Sequence, residues 1–278
     1  MITDRLQSLL QRFSISARMF HSGPLCGMHD FGSHDGSGHL HLIRRGPVRA
    51  QHATGTVLRI EQPSLVLYPQ GLAHRFLTDP DTGADLACAN ITFGSGHSPL
   101  AQALPELVIV PLAKLSSATA VLDVLFEEAF AQRCGRQVLV DRLFEAVLVL
   151  VLRHLLDSGR LAVGPLAGLS HPRLVHAMTA MHDAPGDPWT LATLATRAGM
   201  SRSRFAAAFA QTVGMPAASY LASYRISLAK DLLQQGRPLE RIANDIGYGS
   251  SAALSRAFTA QCGTSPRAWK QAQQQAGA

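Results

Sequence analysis

Apolar residues along this 278-residue chain follow two different periods, and the change of period divides it. From about Phe20 to Phe93 the apolar stretches are short and β-prone, as in HLHLI, TVLRI and SLVLYP, and Gly, Pro or Asp separates them. Short strands at that spacing predict an all-β sandwich or barrel. From about residue 116 the period lengthens to that of a helix. SSATAVLDVLFEEAFAQRC and RQVLVDRLFEAVLVLVLRHLLDSG read as two amphipathic helices. The second is too apolar for a solvated helix, so part of it must pack on the barrel or on another subunit, and a coiled-coil-like dimer is expected. SGRLAVGPLAGLSHP, rich in Gly and Pro, reads as an interdomain linker. The expected organisation is a β-barrel domain over residues 1–112, a helical connector and linker over 113–169, and an all-α domain over 170–278.

The last of these contains a repeat. Laying residues 191–220 on residues 239–269 matches Leu191 with Leu239, Leu194 with Ile242, Ala195 with Ala243 and Gly199 with Gly247. Further on it matches Phe205 with Leu254, Phe209 with Phe258, Gly214 with Gly263 and Tyr220 with Trp269. Each copy reads as a short helix, a glycine where the chain turns sharply, and a serine, Ser201 or Ser250, that can cap a second helix. That is a helix-turn-helix, written twice. Phe205, Phe209, Leu254 and Phe258 recur at helical spacing and are expected in the core. SYLASYRISLAKDLLQQG between the copies is a long helix that fixes their spacing, which should match about one turn of DNA.

Charge agrees with that reading. The net charge is +6; from His171 onward two Lys and nine Arg oppose five Asp and Glu, whereas the residues before it carry 14 of each sign. The excess basicity lies wholly in the repeat, where it attracts phosphate. A helix-turn-helix lays its second helix in the major groove, so Arg202, Ser203 and Arg204 in the first copy, and Ser251, Ser255 and Arg256 in the second, are the expected contacts to bases or phosphates of double-stranded DNA.

RISLAKDLL, IANDIGYGSSAALSRAF, GTSP and Trp269 together resemble the C-terminal domain of the AraC/XylS family of bacterial regulators, over about residues 170–278. One departure is Leu254, where the family usually has an aromatic residue. If the sensor half dimerises, two such domains can bind paired promoter half-sites as a homodimer, with RNA polymerase a further partner if the protein activates.

In the N-terminal half, His39-Leu40-His41 lies on an expected strand whose alternation puts both histidines on one face. His74 ends the run PQGLAH. The pair and the single histidine are similar to the metal-binding motifs of cupin barrels. A cupin usually adds an acidic ligand where this chain has Arg44 and Arg45, which argues against an oxygenase-type iron site. Cys26 in GPLCG and Cys88 in DLACANITF offer sulfur donors instead, and a set of Cys26, His39, His41, His74 and Cys88 favours zinc. GHLHLIRRG, LYPQGLAHRF and the cysteine-bearing strand also resemble the sensor domain of reactive-chlorine-sensing AraC-type regulators. That likeness implies oxidation of Cys26 and Cys88 by hypochlorous acid or a related oxidant.

The longest unbroken aliphatic run, Ala146 to Leu152, is far shorter than a membrane span. MITDRLQSLLQRF has acids and no small-residue cleavage site, so a cytoplasmic protein is expected, with Cys134 and Cys262 as bystanders. The overall expectation is a DNA-binding transcription regulator, not an enzyme, switched by cysteine oxidation or a metal. Two rivals are a regulator whose barrel binds a small organic effector, and a cupin metalloenzyme fused to a DNA-binding domain.

Overall fold

The computed structural model describes residues 4–32, 37–94, 99–159 and 163–276, which form two compact units. One comprises residues 15–96 and 104–157, the other residues 1–14, 97–103 and 158–278.

The first unit is built from β1 (Ile15–Leu25), β2 (Met28–Phe31), β3 (Gly38–Arg45), β4 (Val48–His52), β5 (Val57–Ile60), β6 (Ser64–Tyr68), β7 (His74–Leu77), β8 (Ala84–Phe93) and β9 (Val108–Pro111). They make two antiparallel sheets, in the orders β1-β8-β3-β6-β9 and β2-β7-β4-β5. This is the expected β-barrel. Register puts His39, His41 and Ile43 beside Asn90, Cys88 and Leu86 on one side and beside Tyr68, Val66 and Ser64 on the other. Ile43, Val66, Tyr68, Leu86 and Cys88 of that face join Val48, Ala50 and Phe76 of the other sheet in a buried core. The alternate residues Leu40, Leu42, Leu65, Leu67, Ala87 and Ala89 are buried as well. Strands covered on both faces lose the polar–apolar alternation, which is why these segments read as near-continuous apolar runs.

The helices α3 (Thr119–Phe130) and α4 (Arg136–Ser158) follow the barrel, after a short α2 (Pro99–Ala103). Leu122, Leu125 and Phe126 of α3 and Val140, Phe144, Val147, Leu148, Val151 and Leu152 of α4 are buried. The segment read as a helical connector and linker over 113–169 is divided between the two units. Its helices belong to the barrel unit, and the stripe of α4 too apolar for water is buried there.

The second unit holds α5 (Pro165–Ser170), α6 (Leu174–Asp183), α7 (Leu191–Arg197), α8 (Arg202–Val213), α9 (Ala217–Gln234), α10 (Leu239–Asp245), α11 (Ser251–Cys262) and α12 (Pro266–Ala276). The segment expected as a linker is helical over α5, whose Leu166 and Leu169 are buried and which packs on α6 and α8; residues 160–162 of that linker lie outside the described residues. Pro165 explains the start of α5, since its fixed φ suits the first helical turn. The first helix, α1 (Gln7–Arg12), also belongs to this unit. Leu6, Leu9 and Phe13 are buried, Phe13 meets Tyr224 edge-on at 5.8 Å, and Arg12 donates to the last carbonyls of α6, at His182 (3.0 Å) and Asp183 (2.8 Å). A cation there satisfies acceptors that the helix leaves open.

His182 itself is fully buried, 2.7 Å from the Tyr220 hydroxyl. Burial, and then the Arg12 charge, push its pKa down to about 3. In the unfolded chain the ring titrates near 6.5, so acid protonates the unfolded state first. Stability is intact above about pH 6.5 and falls with pH below it, by about 2 kcal/mol at pH 5 from this group alone. Thermal melts between pH 7.5 and 5 should show that loss, and His182→Phe should flatten it.

Candidate metal and DNA-binding sites

Three histidines converge inside the barrel. His39 and His41 come from one face of β3, and His74 opens β7. All three are buried, and their potential ligand atoms lie within 4.8 Å of one another. The His74 ring stacks on Tyr68 at 3.7 Å and on Phe31 at 5.1 Å. Its Nδ1–H donates to the Leu72 carbonyl at 2.7 Å, so in the neutral ring Nε2 carries the lone pair. That atom faces His41 Nε2 at 2.9 Å, while His41 Nδ1 is buried with no hydrogen-bond partner among the described residues.

Electrostatics keep two of these rings, His41 and His74, neutral. Burial, followed by the neighbouring His74, His39 and His21, holds His41 well below the usual imidazole range. Burial drives His74 down to about 4, against the opposing pull of the Leu72 carbonyl. Neutral imidazole is the form that binds metal, and an Nδ1–H fixed on a backbone carbonyl is the usual way a protein orients a ligand histidine. Three buried imidazoles with ligand atoms this close, one of them oriented in that way, fit a divalent ion such as zinc with an open position. Arg44 and Arg45, which stand where a cupin carries its acid, serve elsewhere: Arg44 lies over the rings of Phe126 (5.8 Å) and Phe130 (5.4 Å), and Arg45 pairs with Asp85 at 3.1 Å.

The two cysteines expected to complete this shell do not join it; among the described residues the group is histidine only. Cys88 does face the interior, level with His41 and His21, but its sulfur is not among the ligand atoms that lie within 4.8 Å of one another. Cys26 is exposed and lies beside the turn at Gly83. It sits one residue beyond Leu25, which pairs with Ala84, whereas Cys88 pairs with His21. That offset along the strands is about 16 Å, against the ~7 Å limit between the Cα atoms of a disulfide. The error has a simple source: sequence order placed both sulfurs on barrel strands but gave no offset between them.

Several residues at the site carried no motif. Tyr68 also accepts or donates a 3.0 Å hydrogen bond with buried His52, and Phe20 and Phe31 pack around the histidines. Only Tyr68 was open to inference, by alternation from His74's own motif back along SLVLYP. A cleft of about 440 Å³ lined by Asp30, Phe31, Gln51, His52, His74 and Arg75 opens beside the site.

In the second unit the repeat is reproduced element by element. Each helix-turn-helix pairs a helix of 7 residues with one of 12. Ser201 and Ser250 cap the second helices by accepting from Arg204 N and Ala253 N, and Gly214 and Gly263 end them in the left-handed conformation. Phe209 meets Tyr220 at 5.8 Å, and the matching Phe258 meets Trp269 at 5.9 Å. Arg202, Ser203, Arg204 and Arg256 are exposed on α8 and α11; Ser251 and Ser255 are half-buried. Between the two motifs, Arg225 of α9 donates to Pro185 O (2.7 Å) and Asp187 O (2.9 Å) and lies 5.8 Å over the Tyr248 ring. One guanidinium thus ties the approach to the first motif to the turn of the second.

Comparison with known proteins agrees with both halves. The Cupin family matches residues 4–157, and the Helix-turn-helix domain family matches residues 194–272. The transcriptional regulator AlkR of Acinetobacter baylyi is 30% identical over 266 residues, covering 83% of this chain and 87% of AlkR. The RCS-specific transcriptional activator RclR of Escherichia coli is 25% identical over 246 residues, covering 85% and 87%. Among solved structures, fatty-acid-bound ToxT from Vibrio cholerae aligns over 93% of this chain and 94% of its own, at 12% identity and a TM-score of 0.40.

Proposed function

Because the chain belongs to the AraC-type transcriptional regulators that carry an N-terminal cupin domain, we propose that its regulatory signal is read at a zinc ion held by His39, His41 and His74. The protein is a DNA-binding regulator of transcription rather than an enzyme. The observation that carries the proposal is the set of three buried imidazoles whose ligand atoms lie within 4.8 Å. Zinc there would supply a Lewis-acidic position open to an incoming donor. Arg202, Ser203, Arg204, Ser251, Ser255 and Arg256 contact the operator, a homodimer binds its two half-sites from the cytoplasm, and RNA polymerase is the partner if the outcome is activation.

Cys26 supports a redox input that does not require it to be a ligand. It is the exposed thiol of the pair, whereas Cys88 is buried and protonated, so an oxidant meets Cys26 first. The relative RclR is named RCS-specific, which favours the same input here. A small organic effector in the 440 Å³ cleft is the alternative, because His74 lines both cleft and site.

Operator affinity of the full-length protein, measured with excess zinc and with chelator, tests the proposal. We expect about a tenfold difference or more, the scale of an ordinary allosteric coupling. Equal affinity in both conditions, with metal content verified, overturns it and leaves the organic effector.

A further inference from the structure

β1 is an edge strand with a fault in its middle. Met19 pairs with Ala89 and His21 with Cys88, so Phe20 has no partner on β8 and forms a bulge. The bulge changes which face the strand presents. Ala17 and Met19 lie level with Ile91 and Ala89, on the face away from the barrel interior, whereas His21, Gly23 and Leu25 lie level with Cys88, Leu86 and Ala84, on the interior face. Bulges re-aim side chains in this way. Phe20, 44% exposed, is aimed at the histidine site, with its ring centroid 6.2 Å from His39, 6.4 Å from His41 and 6.1 Å from Phe31.

The free edge of the bulge is not left to water. Asp141 Oδ1 accepts from Met19 N at 2.7 Å, Glu145 Oε1 accepts from Ala17 N at 3.4 Å, and Gln137 Nε2 donates to Met19 O at 3.0 Å. Gln137 also donates to Asp141 Oδ1 at 2.9 Å, and Arg136 donates to Ser22. Gln137, Asp141 and Glu145 are spaced i, i+4, i+8, so they form one polar stripe on α4. Four helical residues rise about 6 Å and two strand residues about 6.7 Å, so Asp141 and Glu145 fall in step with Met19 and Ala17. A side-chain ladder of this kind ties the free edge of β1, on either side of Met19, to one face of α4.

We propose that Gln137, Asp141 and Glu145 clamp the β1 bulge so that Phe20 stands over the histidine site, and that a change at the site reaches α4 through this clamp. Anything that enters beside His39 and His41 displaces Phe20. That displacement moves the bulge, and the backbone of Met19 carries the movement to Asp141. α4 runs in sequence directly into the DNA-binding half. The inference rests on the histidine site being the sensing site but does not need zinc to be what it senses.

Hydrogen exchange of the full-length protein, read by mass spectrometry over residues 15–22 and 136–147, is the test. Two perturbations of the site are compared: saturating Zn²⁺, and His41→Gln without metal. In the wild type either should alter exchange in both segments by about threefold or more. In Gln137→Ala/Asp141→Ala, residues 15–22 should respond and 136–147 should not, while Asp141→Asn, which keeps the accepting oxygen, should restore the response. A response of α4 that persists in the double variant, or a wild-type response confined to β1, overturns the clamp. A response to His41→Gln with none to Zn²⁺ sinks the zinc reading and leaves the clamp standing.

Discussion

Gly247→Ala should cost the DNA-binding half about 3 kcal/mol or more, while the equivalent Gly199→Ala should cost only about 1 kcal/mol. Both glycines turn the chain between the helices of their motif, and both have positive φ, +83° at Gly247 and +62° at Gly199. An L-residue is strained at either. The difference lies in what a Cβ would meet. At Gly199 nothing lies within 4 Å, but at Gly247 the new carbon would overlap Gly186 O and stand 2.9 Å from Arg225 Nη2. Gly186 is backbone, and Arg225 is held by two carbonyls of the same loop, so neither yields cheaply. Relief requires the two motifs to shift against each other, which also spoils the spacing of their reading helices. Thermal melts of the two variants should differ by roughly 10 °C. Equal melting temperatures would mean that the Gly186–Gly247 contact is not what joins the motifs.

Arg202→Ala/Arg204→Ala should weaken operator binding at least about tenfold and lower the slope of log affinity against log salt by about 2. Both arginines are exposed in the first turn of α8, after the Ser201 cap, where the helix dipole adds to their attraction for phosphate. Arg256→Ala on α11 should reduce the slope by about 1. A loss of specificity with unchanged slope would instead assign these side chains to base edges. Unchanged affinity and slope would remove them from the interface.

The C-terminal half was legible from sequence because its determinants are local. Serine caps, left-handed glycines and apolar residues at helical spacing act within a turn or two, and the repeat states them twice. The aligned positions Phe209/Phe258 and Tyr220/Trp269 form equivalent aromatic pairs in the two copies, contacts the alignment itself did not state. The barrel was legible as a class; strand alternation puts His39 and His41 on one face, and only the resemblance to cupin motifs implied that His74 joins them. What sequence could not provide was offset between strands. Cys88 lies on a β-prone run and Cys26 at the end of one, yet register sets the first level with His41 and leaves the other at a surface turn. The same limit hid Phe20, which faces the site only because a bulge interrupts β1. The helix α5 was hidden for a related reason: a Gly- and Pro-rich stretch is as good a helix start as a linker, and only burial of Leu166 and Leu169 distinguishes them.

The account stands or falls on what the three histidines hold. Zinc content of the full-length protein purified without chelator, measured for the wild type, His41→Ala, His74→Ala and Cys26→Ala/Cys88→Ala, is the direct measurement. The account predicts about one zinc per chain, lost in either histidine variant and retained in the double cysteine variant, as expected of an ion held by nitrogen ligands. Zinc that disappears with the cysteines, or a metal-free wild type, would contradict it.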